Sequence, residues 1–221
     1  MRKLGGREYT KEHVHRTMNA AARRGSLRLG TRQGFTQAVR ILGRRSHSAI
    51  NCTHMRVLGI DCGGEYTGYG IVEMNLRGTL VCLTCGAIKL SPRDPLARRL
   101  ARIYQSLGEL ILEHRPDEVA IEEIFYALNV KSALKLGQVR GVAMLAAASA
   151  GLEVAEYSPL TIKSSVVGYG RAEKQQVQHM VTQLLNLSQP PEPLDASDAL
   201  AIAICHLHTA GTLARQRAVS L

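Results

Sequence analysis

The hydrophobic pattern of the chain predicts strands first and alternating helices and strands afterwards. Short apolar runs bounded by glycine or charged residues predict three consecutive strands, at Val57–Ile60, roughly Gly68–Met74, and Thr79–Leu90. The first strand carries Asp61 at its carboxyl end, and the small residues Cys62–Gly64 turn the chain into the second strand. Because glycine tolerates positive φ, we expect a tight hairpin at this turn.

Beyond residue 92 the apolar period becomes helical. Apolar residues recur every three or four positions after Asp94-Pro95 and predict a surface helix that ends before Arg115-Pro116. The remaining predicted elements are a strand at Glu118–Glu122, a helix at Ser132–Gly151, a strand at Leu152–Tyr157, a short helix from Ser158 that breaks at Gly168, a helix at Ala172–Leu187, and a last helix from about Asp195 to Ala210 with a frayed tail. This order predicts one α/β domain with a mixed sheet.

The net positive charge of the protein comes from the first quarter of the chain. The chain of 221 residues has 28 Lys and Arg against 18 Asp and Glu, a net charge of +10. Residues 1–54 hold twelve of the basic residues and two of the acidic ones, so the remaining 16 basic and 16 acidic residues balance. A nucleic-acid surface on residues 55–221 must therefore be a local patch.

Residues 1–54 are rich in Arg, Gly and Ser and lack a sustained apolar period, which disfavours a packed core. Their composition resembles a transit peptide and is also compatible with a DNA-binding arm or a disordered tail. Another interpretation takes Met55, directly before the first strand, as the natural start. We predict a basic, disordered extension at 1–54, a folded α/β domain at 55–211 and a tail at 212–221.

The cysteines and the apolar runs indicate a soluble protein of a reducing compartment. Five cysteines without regular spacing argue against a disulfide framework. Cys82 and Cys85 form a lone C-x-x-C, and in a regular strand their side chains would point to opposite faces, which disfavours a zinc site. The longest apolar run, Gly141–Gly151, is too short to span a bilayer.

Four acidic residues are the candidates for chemistry. Asp61 and Glu122 each end a predicted strand, and the carboxyl ends of such strands are where α/β sheets bind ligands. Asp195 and Asp198 share one face of the last helix, although acids at a helix start also occur for purely structural reasons. Four carboxylates in one cleft would repel one another, and Mg²⁺ with oxygen ligands would relieve the repulsion. Two such ions can activate a water and stabilise the leaving oxygen in phosphodiester hydrolysis.

Two glycines, Gly137 and Gly141, stand four residues apart on a predicted helix. Small residues at this spacing allow close helix contact, either with a second copy of the chain or with the protein's own sheet. The sequence leaves both interpretations open.

Five motifs occur in order beyond Met55. They are Gly59-Ile-Asp61-x-Gly63-x4-Gly68-Tyr-Gly70, Ala120-Ile-Glu122, Ser132-Ala-Leu-Lys-Leu-Gly-Gln-x-Arg-Gly141, Gly168-x-Gly-x-Ala-x-Lys-x-Gln-Val-Gln178 and Asp195-Ala-x-Asp-Ala-Leu-Ala-Ile-Ala203. This ordered set resembles the RuvC family of Holliday-junction resolvases, and the resemblance runs from Met55 to about His208.

The resemblance implies a ribonuclease H-like fold, a five-stranded mixed sheet flanked by helices on both faces. It implies a cytoplasmic homodimer that nicks two opposed strands of a four-way DNA junction with Mg²⁺, and the RuvA–RuvB branch-migration complex as a partner. By the same resemblance the metal-binding catalytic residues are Asp61, Glu122, Asp195 and Asp198, with Glu122 preferred over its neighbour Glu123.

The resemblance also implies contacts with DNA. Phe125 would stack on a base near the junction centre, although core packing is the alternative, and Lys163 and Lys174 would meet phosphates beside the scissile bond. Cys62 departs from the family, which usually has Pro there, and we expect it to change the rigidity of the turn more than the chemistry. His206 and His208 lie two turns or more beyond Asp198, too far for confident assignment as ligands.

Two other functional classes deserve comparison. Gly59-Ile-Asp61-x-Gly63 also resembles the phosphate loop of actin-like ATPases and sugar kinases, but those proteins need two such lobes and this chain has one. A non-catalytic junction-binding protein of the same fold is the second alternative, and the complete set of four acids argues against it. A related resolvase with a different specificity also stays possible.

Overall fold

Five strands and five helices make up the part of the chain that the computed structural model describes, residues 54–123 and 130–219. The strands are β1 (His54–Cys62), β2 (Tyr66–Asn75), β3 (Leu80–Lys89), β4 (Glu118–Glu122) and β5 (Val154–Tyr157). The helices are α1 (Leu96–His114), α2 (Val130–Ser149), α3 (Pro159–Val167), α4 (Lys174–Leu184) and α5 (Leu194–Val219). Residues 1–53 of the predicted extension, and Phe125, lie outside the described residues.

The strands form one mixed sheet in the order β3-β2-β1-β4-β5. The pairs β1–β2 and β2–β3 are antiparallel, whereas β4 runs parallel to both β1 and β5. Helical crossovers precede β4 and β5, as parallel neighbours require. The predicted five-stranded mixed sheet is therefore confirmed.

Each face of the sheet carries its own apolar core, because alternate strand residues point to opposite faces. Leu58, Ile60 and Ile71 pack with α1 and α2 on one face. Val57, Val72 and Ala120 pack on the other face with α5, and α3 and α4 cover the outer side of α5. The middle of α5 is thus enclosed all round, which explains why its sequence is apolar without a polar stripe. Helices flank both faces, as predicted.

Helix α5 lies against glycines. Gly59, Gly68 and Gly70 face it from β1 and β2, and an ideal Cβ at Gly59 would lie 2.8 Å from the backbone nitrogen of Ala203. A Cβ at Gly68 would overlap the main chain of Asp195. Real side chains do not fit in such spaces, so glycine at these positions lets the helix lie directly on the strand backbone.

The turn glycines have a different role from the predicted one. Among the described residues, the glycines with positive φ are Gly78, Gly151 and Gly168, so the prediction that positive φ explains the turn after Asp61 is wrong. A Cβ at Gly63 would instead collide with the carbonyl of Tyr66, whereas one at Gly64 would meet nothing within 4 Å. Close backbone approach explains the first glycine of the turn.

The prediction that Cys82 and Cys85 point to opposite faces is also wrong. The pairing of β2 with β3 shifts register, since Val72 pairs with Cys82 and Ile71 pairs with Thr84. The extra residue is a β-bulge, which brings both cysteines to the α5 face. Their thiols hydrogen-bond to each other, and this bond raises the pKa of Cys82 and lowers that of Cys85.

Two helices differ from their predicted form. The predicted end of α5 near Ala210 is wrong, because the helix continues to Val219 through a run of good helix formers after Gly211. In α2, a Cβ at Gly137 or Gly141 would meet no described atom within 4 Å, so these glycines do not pack against the protein's own sheet.

No helix in the described residues is both long and apolar enough to cross a membrane. The boundaries of the predicted domain remain a prediction.

We predict that Gly59→Ala lowers the free energy of unfolding by about 2 kcal/mol or more, because the added methyl group must push α5 away from β1. Urea unfolding followed by circular dichroism measures this loss. Gly108→Ala is the control. Its Cβ on α1 meets nothing within 4 Å, so the variant should gain up to about 1 kcal/mol. Equal stabilities of the Gly59 variant and wild type would contradict the close packing.

Candidate functional site

The four predicted acids come together at one edge of the sheet. Asp61 and Glu122 follow Ile60 and Ile121, which are register partners in the parallel pair β1–β4. The register partner of Asp61 in β2 is Gly68, and the main chain of Asp195 lies directly over this glycine. The close approach of α5 to the glycines thereby brings the first turn of the helix to the ends of β1 and β4.

Asp61 is the most perturbed carboxyl group of the cluster. Its pKa is raised from 3.8 to about 7, first by burial and then by the charges of Asp198, Glu122 and Asp195, while Lys174 acts in the opposite direction. Carboxylates that face one another without compensation favour the protonated form. The site therefore holds more negative charge than its own cations neutralise.

Glu122 is also surrounded by acidic groups, but two lysines act on its pKa where only one acts on that of Asp61. Burial raises its pKa and Asp198 adds to the effect, whereas Lys174 and Lys163 lower it. Its backbone is held by Arg140 of α2, whose Nε donates to the carbonyl oxygen of Glu122 at 3.3 Å. The same guanidinium forms an ion pair with Glu156 of β5. Arg140 therefore joins the ends of both strands to α2.

Lys174 begins α4 and reaches into the acidic cluster. Its Nζ donates to Oδ2 of Asp198 at 2.9 Å, and this hydrogen bond raises the pKa of the lysine. The side chain of Lys174 is still 65% exposed, so the ammonium group is also open to solvent. A cation in this position can neutralise part of the cluster and can also meet an approaching phosphate.

The donor set of the cluster suits a hard divalent cation. All four groups are carboxylates, the ligands that Mg²⁺ and Mn²⁺ prefer, and the raised pKa of Asp61 records the repulsion that such a cation would relieve. Within residues 54–123 and 130–219, no three His, Cys, Asp or Glu side chains converge closely enough to hold a metal ion as they stand. A metal site that used three or more of these carboxylates would need their side chains to move closer together, and Asp198 could join such a site only by giving up its hydrogen bond from Lys174.

Other predicted residues have different outcomes. Lys163 interacts electrostatically with Glu122, Phe125 lies outside the described residues, and Cys62 fits the end of β1, where it is 9% exposed. Burial raises the pKa of the Cys62 thiol to about 12, so it remains a neutral thiol. The contact of Arg140 with Glu122 was not predicted from the sequence. The presence of Arg140 in the third motif is the sequence feature that could have suggested it.

Comparisons with known proteins agree with one another. The family model described as crossover junction endodeoxyribonuclease RuvC matches residues 57–206. A crossover junction endodeoxyribonuclease RuvC of Koribacter versatilis is 65% identical over 164 residues, which are 74% of this chain and 99% of the relative. The structure of Thermus thermophilus RuvC in complex with Holliday junction substrate matches with a TM-score of 0.66 and 33% identity, covering 72% of this chain and 96% of that chain.

A more distant structure agrees in fold alone. The yeast mitochondrial Holliday junction resolvase matches with a TM-score of 0.58 and 17% identity, covering 87% of this chain and 91% of that chain.

The five-stranded mixed sheet with helices on both faces has the ribonuclease H-like fold. The chain belongs to the RuvC family of crossover junction endodeoxyribonucleases. This membership excludes the actin-like ATPase that the first motif also resembles. Such an ATPase needs two lobes with this motif, and the sequence contains the motif once.

We predict that Asp61→Asn stabilises the metal-free protein near neutral pH. The folded-state pKa of about 7 lies above the ordinary 3.8, so folding favours the protonated carboxyl and wild-type stability falls as pH rises from about 4 to 7. In EDTA the variant should therefore exceed wild type by roughly 1–3 kcal/mol at about pH 8, and the gain should shrink toward about pH 4. Urea unfolding across this pH range measures it.

Glu109→Gln on the exposed side of α1 is the matched control and should follow wild type at every pH. A gain for Asp61→Asn that is absent, or that grows as the pH is lowered, would contradict the electrostatic account of the cluster.

Proposed function

We propose that this protein resolves four-way DNA junctions in recombination and repair, by Mg²⁺-dependent hydrolysis of one phosphodiester bond on each of two opposed strands. The observation that carries the proposal is the convergence of Asp61, Glu122, Asp195 and Asp198 at the ends of β1 and β4, where the last three act on the pKa of Asp61. Membership in a family of crossover junction endodeoxyribonucleases supports the same chemistry. We place the activity in the cytoplasm.

In the proposed site Asp61, Glu122, Asp195 and Asp198 hold divalent metal, two ions per site by family resemblance. When bound, the metal supplies activation of a water and stabilisation of the leaving oxygen. Asp61 and Glu122 fix their carboxylates from rigid strand ends, whereas Asp195 and Asp198 are carried by a buried helix. Rigid elements on both sides suit a reaction that depends on positioning.

Lysines on the helices outside α5 provide the proposed contacts with DNA. Lys174 can exchange its hydrogen bond from Asp198 to a phosphate once metal neutralises the acids, and Lys163 of α3 lies close enough to influence Glu122. Phosphate contacts position a nucleic acid without reading its sequence. Phe125 follows β4 by three residues, and we propose that it stacks on a base near the junction centre.

We propose that the protein acts as a homodimer through helix α2. The helix has an exposed apolar stripe, with Leu134 64% exposed and Leu145 57% exposed on either side of Gly137 and Gly141. Two such stripes can pack closely about a two-fold axis because the glycines admit a facing helix. A dimer would give the paired sites that two opposed cuts require. By family resemblance, the RuvA–RuvB complex is a further partner.

We predict Mg²⁺-dependent paired nicking of a synthetic four-way junction by this protein. Asp61→Asn, Glu122→Gln and Asp195→Asn should each reduce the cleavage rate at least about a thousandfold. Junction affinity should change little, because the proposed phosphate contacts are made by lysines and not by the substituted carboxylates. Gel assays of end-labelled junctions measure cleavage, and gel shifts in Ca²⁺ measure binding.

Glu123→Gln is the matched control. The backbone N–H of Glu123 donates to the carbonyl oxygen of Tyr157, and from the alternation of side chains along a strand we expect the Glu123 side chain to point away from that of Glu122. Near wild-type cleavage by Asp61→Asn would contradict the metal assignment. Tight junction binding without cleavage at any Mg²⁺ or Mn²⁺ concentration would favour the non-catalytic alternative.

We predict that Leu134→Glu weakens the dimer by at least about tenfold, because it buries an unpaired charge in the proposed interface. Sedimentation equilibrium measures dimerisation, and a cruciform plasmid reports whether the two cuts occur together. The variant should give nicked circles in place of linear product. Leu112→Glu, on a leucine of α1 that is 68% exposed, is the control and should remain dimeric. An equal effect of both variants would contradict an α2 interface.

A further inference from the structure

A buried histidine connects helix α5 to the sheet outside the acidic cluster. His206 is 5% exposed. Its Nδ1 lies 2.8 Å from the hydroxyl oxygen of Tyr157 in β5, and its Nε2 lies 2.8 Å from Oε2 of Glu118 in β4. The rings of Tyr157 and His206 also meet edge to face, with centroids 5.7 Å apart. One side chain of α5 is thus tied to two neighbouring strands.

The chemistry of the partners assigns the direction of these hydrogen bonds. A carboxylate accepts hydrogen bonds and cannot donate them, so the Nε2 atom facing Glu118 carries the hydrogen. In the corresponding imidazole tautomer, Nδ1 accepts the hydrogen of the Tyr157 hydroxyl. Both ring nitrogens therefore have directional partners, and the orientation of the ring is fixed relative to the sheet.

Tyr157 is also the residue that flanks Glu122 in the sheet. Glu122 and Tyr157 are register partners in the β4–β5 pair, and the carbonyl of Tyr157 accepts a hydrogen bond from the N–H of Glu123 at 2.8 Å. The main chain of Tyr157 thus holds the end of β4, while its side chain holds α5. It joins the element that carries Glu122 to the element that carries Asp195 and Asp198.

The glycine contacts do not by themselves prevent α5 from sliding or rotating over β1 and β2, and the hydrogen bonds of His206 can restrain both movements. Gly59 and Gly68 let α5 approach β1 and β2 closely, but they present no side chain that interlocks with the helix. Directional hydrogen bonds add to the restraint that the apolar packing around α5 already provides against sliding and rotation. A helix rises about 1.5 Å per residue and moves as a rigid rod, so a shift at His206 reaches Asp195 and Asp198.

We propose that His206 is a positioning residue for the acidic cluster: its hydrogen bond with Tyr157 fixes α5 against the end of β4 and so holds Asp195 and Asp198 in register with Glu122. The inference rests on the proposed function, because its readouts require divalent metal to bind the four acids. The bond to Glu118 serves mainly to orient the ring, and the side chain of Glu118 is 38% exposed, so solvent can replace the histidine there.

Two substitutions of His206 separate its two hydrogen bonds. In His206→Asn the shorter amide takes the place of Nδ1 and keeps the contact with Tyr157, whereas in His206→Gln the longer amide takes the place of Nε2 and keeps the contact with Glu118. Tyr157→Phe removes the decisive hydroxyl and preserves the ring. Tyr104→Phe on α1, at the opposite face of the sheet, is the matched control.

The measurements are the Mg²⁺ concentration for half-maximal nicking of a four-way junction, and Ca²⁺ binding by isothermal titration calorimetry as a readout without catalysis. Tyr157→Phe and His206→Gln should raise both midpoints roughly two- to tenfold, the range expected for one hydrogen bond, with similar rates at saturating Mg²⁺. His206→Asn should remain within about twofold of wild type, and so should Tyr104→Phe. Thermal melts check that each variant is folded at the assay temperature.

Unchanged midpoints in Tyr157→Phe and His206→Gln would overturn the proposal, and so would a His206→Asn variant as impaired as His206→Gln. An equal increase in Tyr104→Phe would also overturn it, because general loosening of the fold would then explain the effect. Failure of wild type to nick at any Mg²⁺ concentration would count against the proposed function instead, and the Ca²⁺ isotherms would still decide the role of His206.

Discussion

The close approach of helix α5 to the backbone of β1 and β2 is the constraint on which the rest of the structure depends. It exists because Gly59, Gly68 and Gly70 lack side chains where α5 crosses the strands. The approach encloses the apolar middle of α5 in the core and at the same time brings the main chain of Asp195 over the register partner of Asp61. Packing and the candidate site therefore share one structural cause.

This arrangement has an electrostatic cost that the fold must offset. Burial at the end of β1 and, after it, the charges of Asp198, Glu122 and Asp195 raise the pKa of Asp61 to about 7, and Lys174 compensates only in part. The buried surface of α5 supplies the opposing free energy, since its residues from Ala199 to Leu207 are nearly all inaccessible to solvent. A divalent cation bound among these carboxylates would relieve the part of the pKa shift that their mutual repulsion causes.

Periodicity and motif spacing predict the parts of this protein that depend on local sequence. The order of strands and helices and the mixed sheet follow from the apolar runs, and the resemblance of the five ordered motifs to the RuvC family implies the convergence of the four acids. Features that depend on partners distant in sequence could not be predicted. The bulge that brings Cys82 and Cys85 to one face, the packing role of Gly68 and the hydrogen bonds of Arg140 and His206 each require the register of elements that only the folded chain defines.

Anomalous diffraction from crystals of the protein soaked in Mn²⁺ tests most directly whether the acids that α5 brings to the strand ends bind divalent metal there. We expect anomalous density in contact with both Asp61 of β1 and Asp195 of α5, accompanied by displacement of Lys174 from Asp198. Density that avoids these carboxylates, or a fully occupied Mn²⁺ site elsewhere with the Lys174–Asp198 contact intact, would contradict this expectation.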